Sequence, residues 1–243
     1  MKPTFVRFST LTNLALRCDY HVHTIWTDGS ATAEEYIKAA LRKDIGEIAF
    51  TEHVRKTSSW FDSFIEEIEG LRDKYRGRLT VIYGIEAKVT DYEGNLDATV
   101  DMIRKSEIVL GAIHRYPDGK GGYLDFQKIP FYKAAEIECK LACALTRNSD
   151  VNVLAHLGGV FEREFRRFLP VEYVREIIES ANQYGTVIEI NSSYLSESSP
   201  LFELCSVLDP LISLGSDAHN LEQLGQVMKL MDGKLGVAEH QEE

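Results

Sequence analysis

Seven short apolar runs punctuate this chain: near 17–22 (RCDYHV), 45–51 (IGEIAFT), 79–85 (LTVIYGI), 107–113 (EIVLGAI), 151–155 (VNVLA), 186–191 (TVIEIN) and 211–215 (LISLG). Most are rich in Val and Ile, and several run apolar almost without alternation, as strands buried on both faces do. Between them the apolar positions recur with a helical period. The stretch "TAEEYIKAALRKD" opens at Thr32 with Glu35 three residues on, a capping box, so a helix begins there. Further helices are predicted near 61–75, 96–105, 130–148, 170–184 and 221–231, with Pro130 and Pro170 as first-turn residues.

Strand–helix alternation of this kind implies an α/β protein with parallel strands and right-handed crossovers. Seven units either lie in an open sheet or close into a barrel, and the polar residues separate the two. No G-x-G-x-x-G follows the first strand, and no G-x-x-x-x-G-K-[ST] loop is present. Polar residues instead follow nearly every strand. An open sheet concentrates its site at one switch point, whereas a barrel collects residues from all its strand ends. The expectation is a seven-stranded (β/α)7 TIM-like barrel. Without a linker or repeat, residues 1–243 read as one domain: a core of about 17–232, an N-terminal extension 1–16 and a polar C-terminal tail.

Composition narrows the functional classes. With 27 basic against 38 acidic residues, the formal net charge is −11. A nucleic-acid backbone calls for a basic stripe, so nucleic acid is not the expected partner. No apolar stretch approaches the ~20 residues that span a membrane. The leader "MKPTFVRFSTLTNLALR" carries Lys2, Arg7 and Arg17 and no acid, but polar residues interrupt its apolar core and no cleavage site follows. It reads as an extra segment of a cytoplasmic protein. Cys18, Cys139, Cys143 and Cys205 form no C-x-x-C pair and read as reduced thiols used as small apolar residues.

The strand ends carry the chemistry. His21 and His23 end the first strand, and Asp28 lies in the following turn. Positions i and i+2 of a strand face the same side, so both rings can address one point. "FTEH" supplies His53, "GIEA" Glu86, "AIHR" His114, "LAHLGG" His156 and "GSDAH" both Asp217 and His219. Of the chain's seven histidines, six lie at a predicted strand end; His240, in the tail, does not. Each alone reads as an ordinary hydrogen-bonded or turn residue, and Glu52 as a cap or ion-pair partner outside the cluster. Together, nine imidazoles and carboxylates converging on one face would face repulsion and desolvation unless cations were bound. Mixed His and carboxylate donors without thiolate suit Zn, Mn or Fe rather than Ca. At about four ligands per ion, two or three divalent metal ions are expected.

The motifs "H-V-H-T-x4-D-G", "F-T-E-H", "G-I-E", "G-A-I-H", "A-H-L", "E-I-N" and "G-S-D-A-H", in that order over 19 to about 230, resemble the PHP family, the polymerase and histidinol phosphatase family. That resemblance implies a distorted seven-stranded barrel and up to three metals. It implies that His21, His23, Glu86 and Asp217 hold one ion. Glu86 would bridge to a second ion with His114 and His156, and Asp28, His53 and His219 would hold a third. It further implies hydrolysis of a small phosphate monoester, with histidinol phosphate the natural guess.

Metal-activated water would attack phosphorus in line, with Asp217 or His219 relaying a proton to the leaving alcohol. Arg115, directly after His114, and Arg163, in "GGVFEREFRRF", are expected to hold the phosphate through their planar forks, with Lys88 a further cation of that kind. Arg166 and Arg167 read equally well as helix-surface charges, and Asn191 as a residue orienting water or satisfying backbone groups. The Gly-rich "YPDGKGGYLDF" is either a mobile cover or a plain connection. The rival readings are a nucleotide or oligonucleotide phosphoesterase, a phosphotyrosine-protein phosphatase, and a non-catalytic metal-binding scaffold.

Overall fold

In the computed structural model, residues 1–195 and 199–239 are described; for 234–239 only the backbone is, and His240 lies outside them. Eight strands form one sheet: β1 Val6–Arg7, β2 Cys18–Val22, β3 Glu47–Val54, β4 Thr80–Lys88, β5 Ile108–Ala112, β6 Val153–Leu154, β7 Val187–Asn191 and β8 Leu211–Gly215. Eight α-helices accompany them: α1 Ala33–Arg42, α2 Phe61–Lys74, α3 Val100–Lys105, α4 Phe131–Arg147, α5 Gly159–Phe165, α6 Val171–Tyr184, α7 Pro200–Leu208 and α8 Gln226–Glu239. None of the described helices is long and apolar enough to cross a membrane.

The sheet order is β1-β8-β7-β6-β5-β4-β3-β2, with β2 to β8 parallel to their neighbours. Two features correct the seven-stranded barrel. The segment expected as an extension supplies β1, which runs antiparallel to β8 and pairs Val6 with Ile212 and Arg7 with Leu211. Nor is the sheet closed by a ladder. β1 occupies the edge of β8 at its start, so β2 reaches that side only beyond the end of β8, at a single Val22–Ala218 bridge. There His23 N donates to Ala218 O at 2.9 Å and Ala218 N to His21 O at 3.1 Å.

A buried carboxylate completes this junction. Asp19 Oδ1 accepts from Ser216 N at 2.9 Å, and its Oδ2 from Gly225 N at 2.8 Å and from the Ser216 hydroxyl. Asp19 thus does for the turn after β8 what a neighbouring backbone carbonyl does within a ladder. The register of β2 on β3 shifts between Asp19 and Val22, which aims the two following histidines. Burial pushes the Asp19 carboxyl up to about 6, against the donors from Ser216, Gly225 and His21.

The helices follow local chemistry. Thr32 and Glu35 form the reciprocal capping box expected at α1. Pro130 and Pro170 sit one position before their helices, at the N-caps of α4 and α6. The predicted helix over 96–105 is shorter, because Thr99 caps Met102 N and Leu96 bridges to Val89. That over 221–231 starts only at Gln226, after turns that place Gly225 N on Asp19. α7 was not expected. Leu201, Phe202, Leu204 and Cys205 are buried, but the exposed side carries Val207 beside Glu203 and Ser206, so the polar face that marks a surface helix is narrow. All four cysteines are buried free thiols.

Candidate metal centre

The C-terminal ends of β2, β3, β4 and the segments after β5, β6 and β8 bring the nine expected residues to one place. Glu86, on β4 and nearly inaccessible, is the hub. Its Oε1 lies 3.0 Å from His114 Nε2 and 2.8 Å from His156 Nε2. Its Oε2 lies 2.6 Å from His53 Nδ1 and 3.6 Å from the Nε2 atoms of both His21 and His23. Asp217 Oδ1 faces the same two rings, 3.6 Å from His21 Nε2 and 3.2 Å from His23 Nε2. Asp28 stands on the outer side, 3.4 Å from both His53 Nε2 and His219 Nε2.

At this site three sets of residues each bring their donor atoms within 4.8 Å of one another: His21, His23 and Glu86; His53, Glu86 and His114; and His23, Asp28, His53 and His219. This arrangement keeps Glu86 between groups and adds two rings to that position. His53 presents Nδ1 to Glu86 and Nε2 to Asp28, and His23 belongs to both the inner and the outer group. His53 does this because β3 runs to Val54, so the histidine lies inside the strand and not beyond its end.

Donor chemistry and burial both fit divalent cations. His21 Nε2, both ring nitrogens of His23 and Glu86 Oε2 are buried without a hydrogen-bond partner among the described residues. Such groups cost about 1–3 kcal/mol each when left unsatisfied, and a cation satisfies several at once. Burial opposes ionisation of Glu86, yet the His114, His53 and His21 imidazoles hold it well below the usual carboxylate range. Asp217 is held low in the same way, against its burial, chiefly by His21 and His23. Burial also pushes His23 down to about 4, which keeps the imidazole neutral, with one ring nitrogen free to bind metal.

Residues around the cluster fix its orientation. Glu189, on β7, accepts from His21 Nδ1 at 2.7 Å, so His21 Nε2 is left facing Glu86 and Asp217. Its other oxygen accepts from His156 N at 2.6 Å and Asn191 Nδ2 at 3.0 Å. Glu189 is not among the nine expected residues, although a carboxylate inside the apolar run VIEIN, two positions before Asn191, is a signal for it. Glu52 stays outside the cluster, as expected: Oε1 accepts from Thr24 N at 2.8 Å and Thr24 Oγ1 at 2.6 Å, and Oε2 from the Thr27 hydroxyl. These bonds shape the turn that carries Asp28. His156 and Asp217 have positive φ, 31° and 51°, conformations that non-glycine residues seldom adopt and that gather at functional sites.

Two clefts open on the cluster. The larger, about 660 Å³, is floored by Asp217 and His219 and walled by Arg163, Arg166, Arg167 and Tyr194. Tyr194 packs its ring 4.9 Å from that of His156 and against the bare Cα of Gly159, where a Cβ would come within 2.7 Å of Cδ1. The smaller, about 400 Å³, is lined by His53, His114, Lys88, Arg55 and Trp60. Lys88 bonds the Tyr123 hydroxyl. Arg115 is exposed, with its guanidinium 5.7 Å from the Tyr123 ring centre, and lines neither of these clefts. The segment carrying Tyr123 folds back on itself through a Pro117–Tyr123 bridge, with Gly119 and Gly121 at positive φ.

Residues 19–193 match the PHP domain. The chain belongs to the PHP domain family. Asp217 and His219 lie beyond the matched segment, joined to it through Asp19 and the Val22–Ala218 bridge. Among PHP domain relatives, a probable phosphatase of Proteus mirabilis is 27% identical over 227 residues, 88% of this chain and 83% of that protein. The crystal structure of Lactococcus lactis histidinol phosphate phosphatase, complexed with zinc, L-histidinol and phosphate, superposes with a TM-score of 0.69. It covers 89% of this chain and 91% of its own, at 18% identity. The putative histidinol phosphatase of Listeria monocytogenes gives 0.67, covering 86% and 97% of the two chains at 16% identity. These structural likenesses confirm the PHP fold.

Proposed function

We propose that this PHP domain protein is a metal-dependent phosphatase acting on a small phosphate monoester, with two or three divalent ions of the Zn, Mn or Fe kind. The observation that carries this is the set of orphaned donors, His21 Nε2, His23 Nδ1 and Nε2, and Glu86 Oε2, turned inward beside two open clefts. Ions held in that donor set supply a water ionised near neutral pH and positive charge for the phosphoryl oxygens. His21, His23, Glu86 and Asp217 hold the inner ion, Glu86 with His114 and His156 the second, and Asp28, His53 and His219 the outer one.

The surrounding residues supply position. Glu189 keeps His21 in one ring orientation. Arg163, which lines the larger cleft with Asp217 and His219, and Lys88, which lines the smaller one, bind the phosphate. Arg115 stands farther out, where it meets substrate only if the segment bearing Tyr123 closes over the smaller cleft. Of the two residues expected to relay a proton, Asp217 is buried between His21 and His23 and is committed to holding cations. His219 is likewise assigned to an ion, and both residues line the larger cleft, so either relays a proton to a leaving alcohol only while it is not holding its ion. The names of the Proteus and Lactococcus relatives support the phosphatase reading and make histidinol phosphate the first metabolite to test.

The experiment is hydrolysis of an aryl phosphate by the purified protein, before and after chelation and after return of Mn or Zn. Hydrolysis that chelation abolishes and metal restores is expected. A protein that binds two or more ions yet turns over no phosphate ester belongs to the scaffold reading instead.

A further inference from the structure

The larger cleft is basic in a protein whose formal net charge is −11. Arg163, Arg166 and Arg167 line it, and beside Asp217, which cations would neutralise, Glu162 is the carboxylate on its wall. Arg163 Nε is engaged by Glu164 at 3.0 Å. Arg166 and Arg167 make no ion pair with any carboxylate among the described residues; Arg167 instead lies over the Phe131 ring at 5.0 Å. An acidic surface offers many partners, so two consecutive arginines on one cleft wall, both exposed and unpaired among the described residues, are conspicuous.

The backbone strengthens the point. Arg166 closes α5 in the left-handed conformation, φ 55° and ψ 38°. Glycine or asparagine ordinarily fills that position, because a larger side chain is strained there. Here the strained position carries an arginine, and its side chain lines the cleft. At about 660 Å³ the cleft far exceeds a phosphoryl group, so it has room for the alcohol part of an ester as well.

We propose that the substrate's alcohol part carries a second anionic group, a phosphate or a carboxylate, held by Arg166 and Arg167. This rests on the phosphatase reading above and narrows its substrate class. A planar guanidinium pair matches the forked oxygens of either anion. The same pair repels an ammonium or imidazolium, so a cationic alcohol such as histidinol is disfavoured in this chain. Tyr194, a neutral donor on the same wall, accepts any of these groups and does not select among them.

A matched four-carbon series tests it: butyl phosphate, 4-aminobutyl phosphate, 4-phosphooxybutyrate and butane-1,4-diol bisphosphate, with the metal-loaded protein. The expected kcat/KM for the bisphosphate is at least tenfold above butyl phosphate, beyond the statistical factor of two, with the amine compound lowest. A carboxylate compound equal to the bisphosphate identifies a general anion site; one well below it identifies a phosphate site. In Arg166→Gln/Arg167→Gln the ratio of bisphosphate to butyl phosphate falls at least tenfold. An amine compound as good as butyl phosphate, or a ratio unmoved in the double variant, overturns the proposal. Calorimetric binding of butane-1,4-bisphosphonate gives a readout apart from turnover. Arginine-dependent binding without hydrolysis of any ester would keep the anion site and remove the phosphatase reading; binding indifferent to both arginines removes the anion site.

Discussion

His21 Nδ1 lies 2.7 Å from Glu189 Oε1, and this contact decides which nitrogen of His21 faces the metal centre. A histidine that donates its other N–H to a carboxylate is fixed in tautomer and ring orientation, and its free nitrogen is made more basic. Glu189 does more than this, since its second oxygen holds the backbone N–H of His156, itself at an unusual φ of 31°. One carboxylate on β7 therefore sets two of the proposed ligand positions.

Glu189→Gln should lower metal affinity roughly 10- to 100-fold, because the amide can serve only one of those donors well. Metal titration with a competing chelator checks this, alongside circular dichroism to confirm the fold. Unaltered affinity would show that His21 is oriented by its packing alone.

Gly215→Ala should damage the same unit from the other side. A Cβ there would come within 2.1 Å of Glu189 Oε1 and 2.7 Å of the His21 Cβ. Overpacking of this kind costs about 1–3 kcal/mol, and here it displaces a ligand. Thermal denaturation and metal content of the variant should fall together; a lower midpoint with full metal content would contradict this.

His21→Ala and Asp217→Ala should each reduce turnover by several orders of magnitude while leaving secondary structure in place. The check is metal analysis beside steady-state kinetics on the same preparation. Near-normal rates with tightly bound metal would remove these residues from the ligand set.

Glu138, on α4, offers a test of stability at a residue outside the proposed ligand set. Burial pushes its carboxyl from about 4.5 up to about 7, against the Tyr116 phenol beside it. A group raised in the folded state contributes fully below its unfolded pKa and loses that contribution as pH rises through the folded one. The loss is thus expected between about pH 4.5 and pH 7 and amounts to about 3 kcal/mol. Glu138→Gln should therefore match the wild type near pH 5 and exceed it near pH 8 in urea denaturation. Parallel pH profiles for the two proteins would refute the assignment.

Much of the site was legible because its residues sit where strand periodicity ends. His21 and His23 announce themselves by their i, i+2 spacing, and Asp217 and His219 by following an apolar run that closes in Gly215. What was lost concerns polar residues inside buried strands. Glu52 and His53 read as the end of β3, but the strand continues to Val54 because the ladder to β4 runs on, pairing His53 with Glu86 and Val54 with Ala87. Glu189 was hidden for the same reason. β1 is only two residues long and pairs with a strand about 200 positions away, a relationship that no local pattern encodes. α7 lacks a broad polar face, so Ser199 and Pro200 were the only marks of its start.

The joining of β2 to the segment after β8 has a consequence for how the protein is made. On the ribosome, His21 and His23 emerge about 200 residues before Ser216, Ala218 and Gly225, which they and Asp19 engage. The half-built chain therefore carries exposed imidazoles with no finished pocket around them, and selective uptake of the right ion must wait until that later segment has been made.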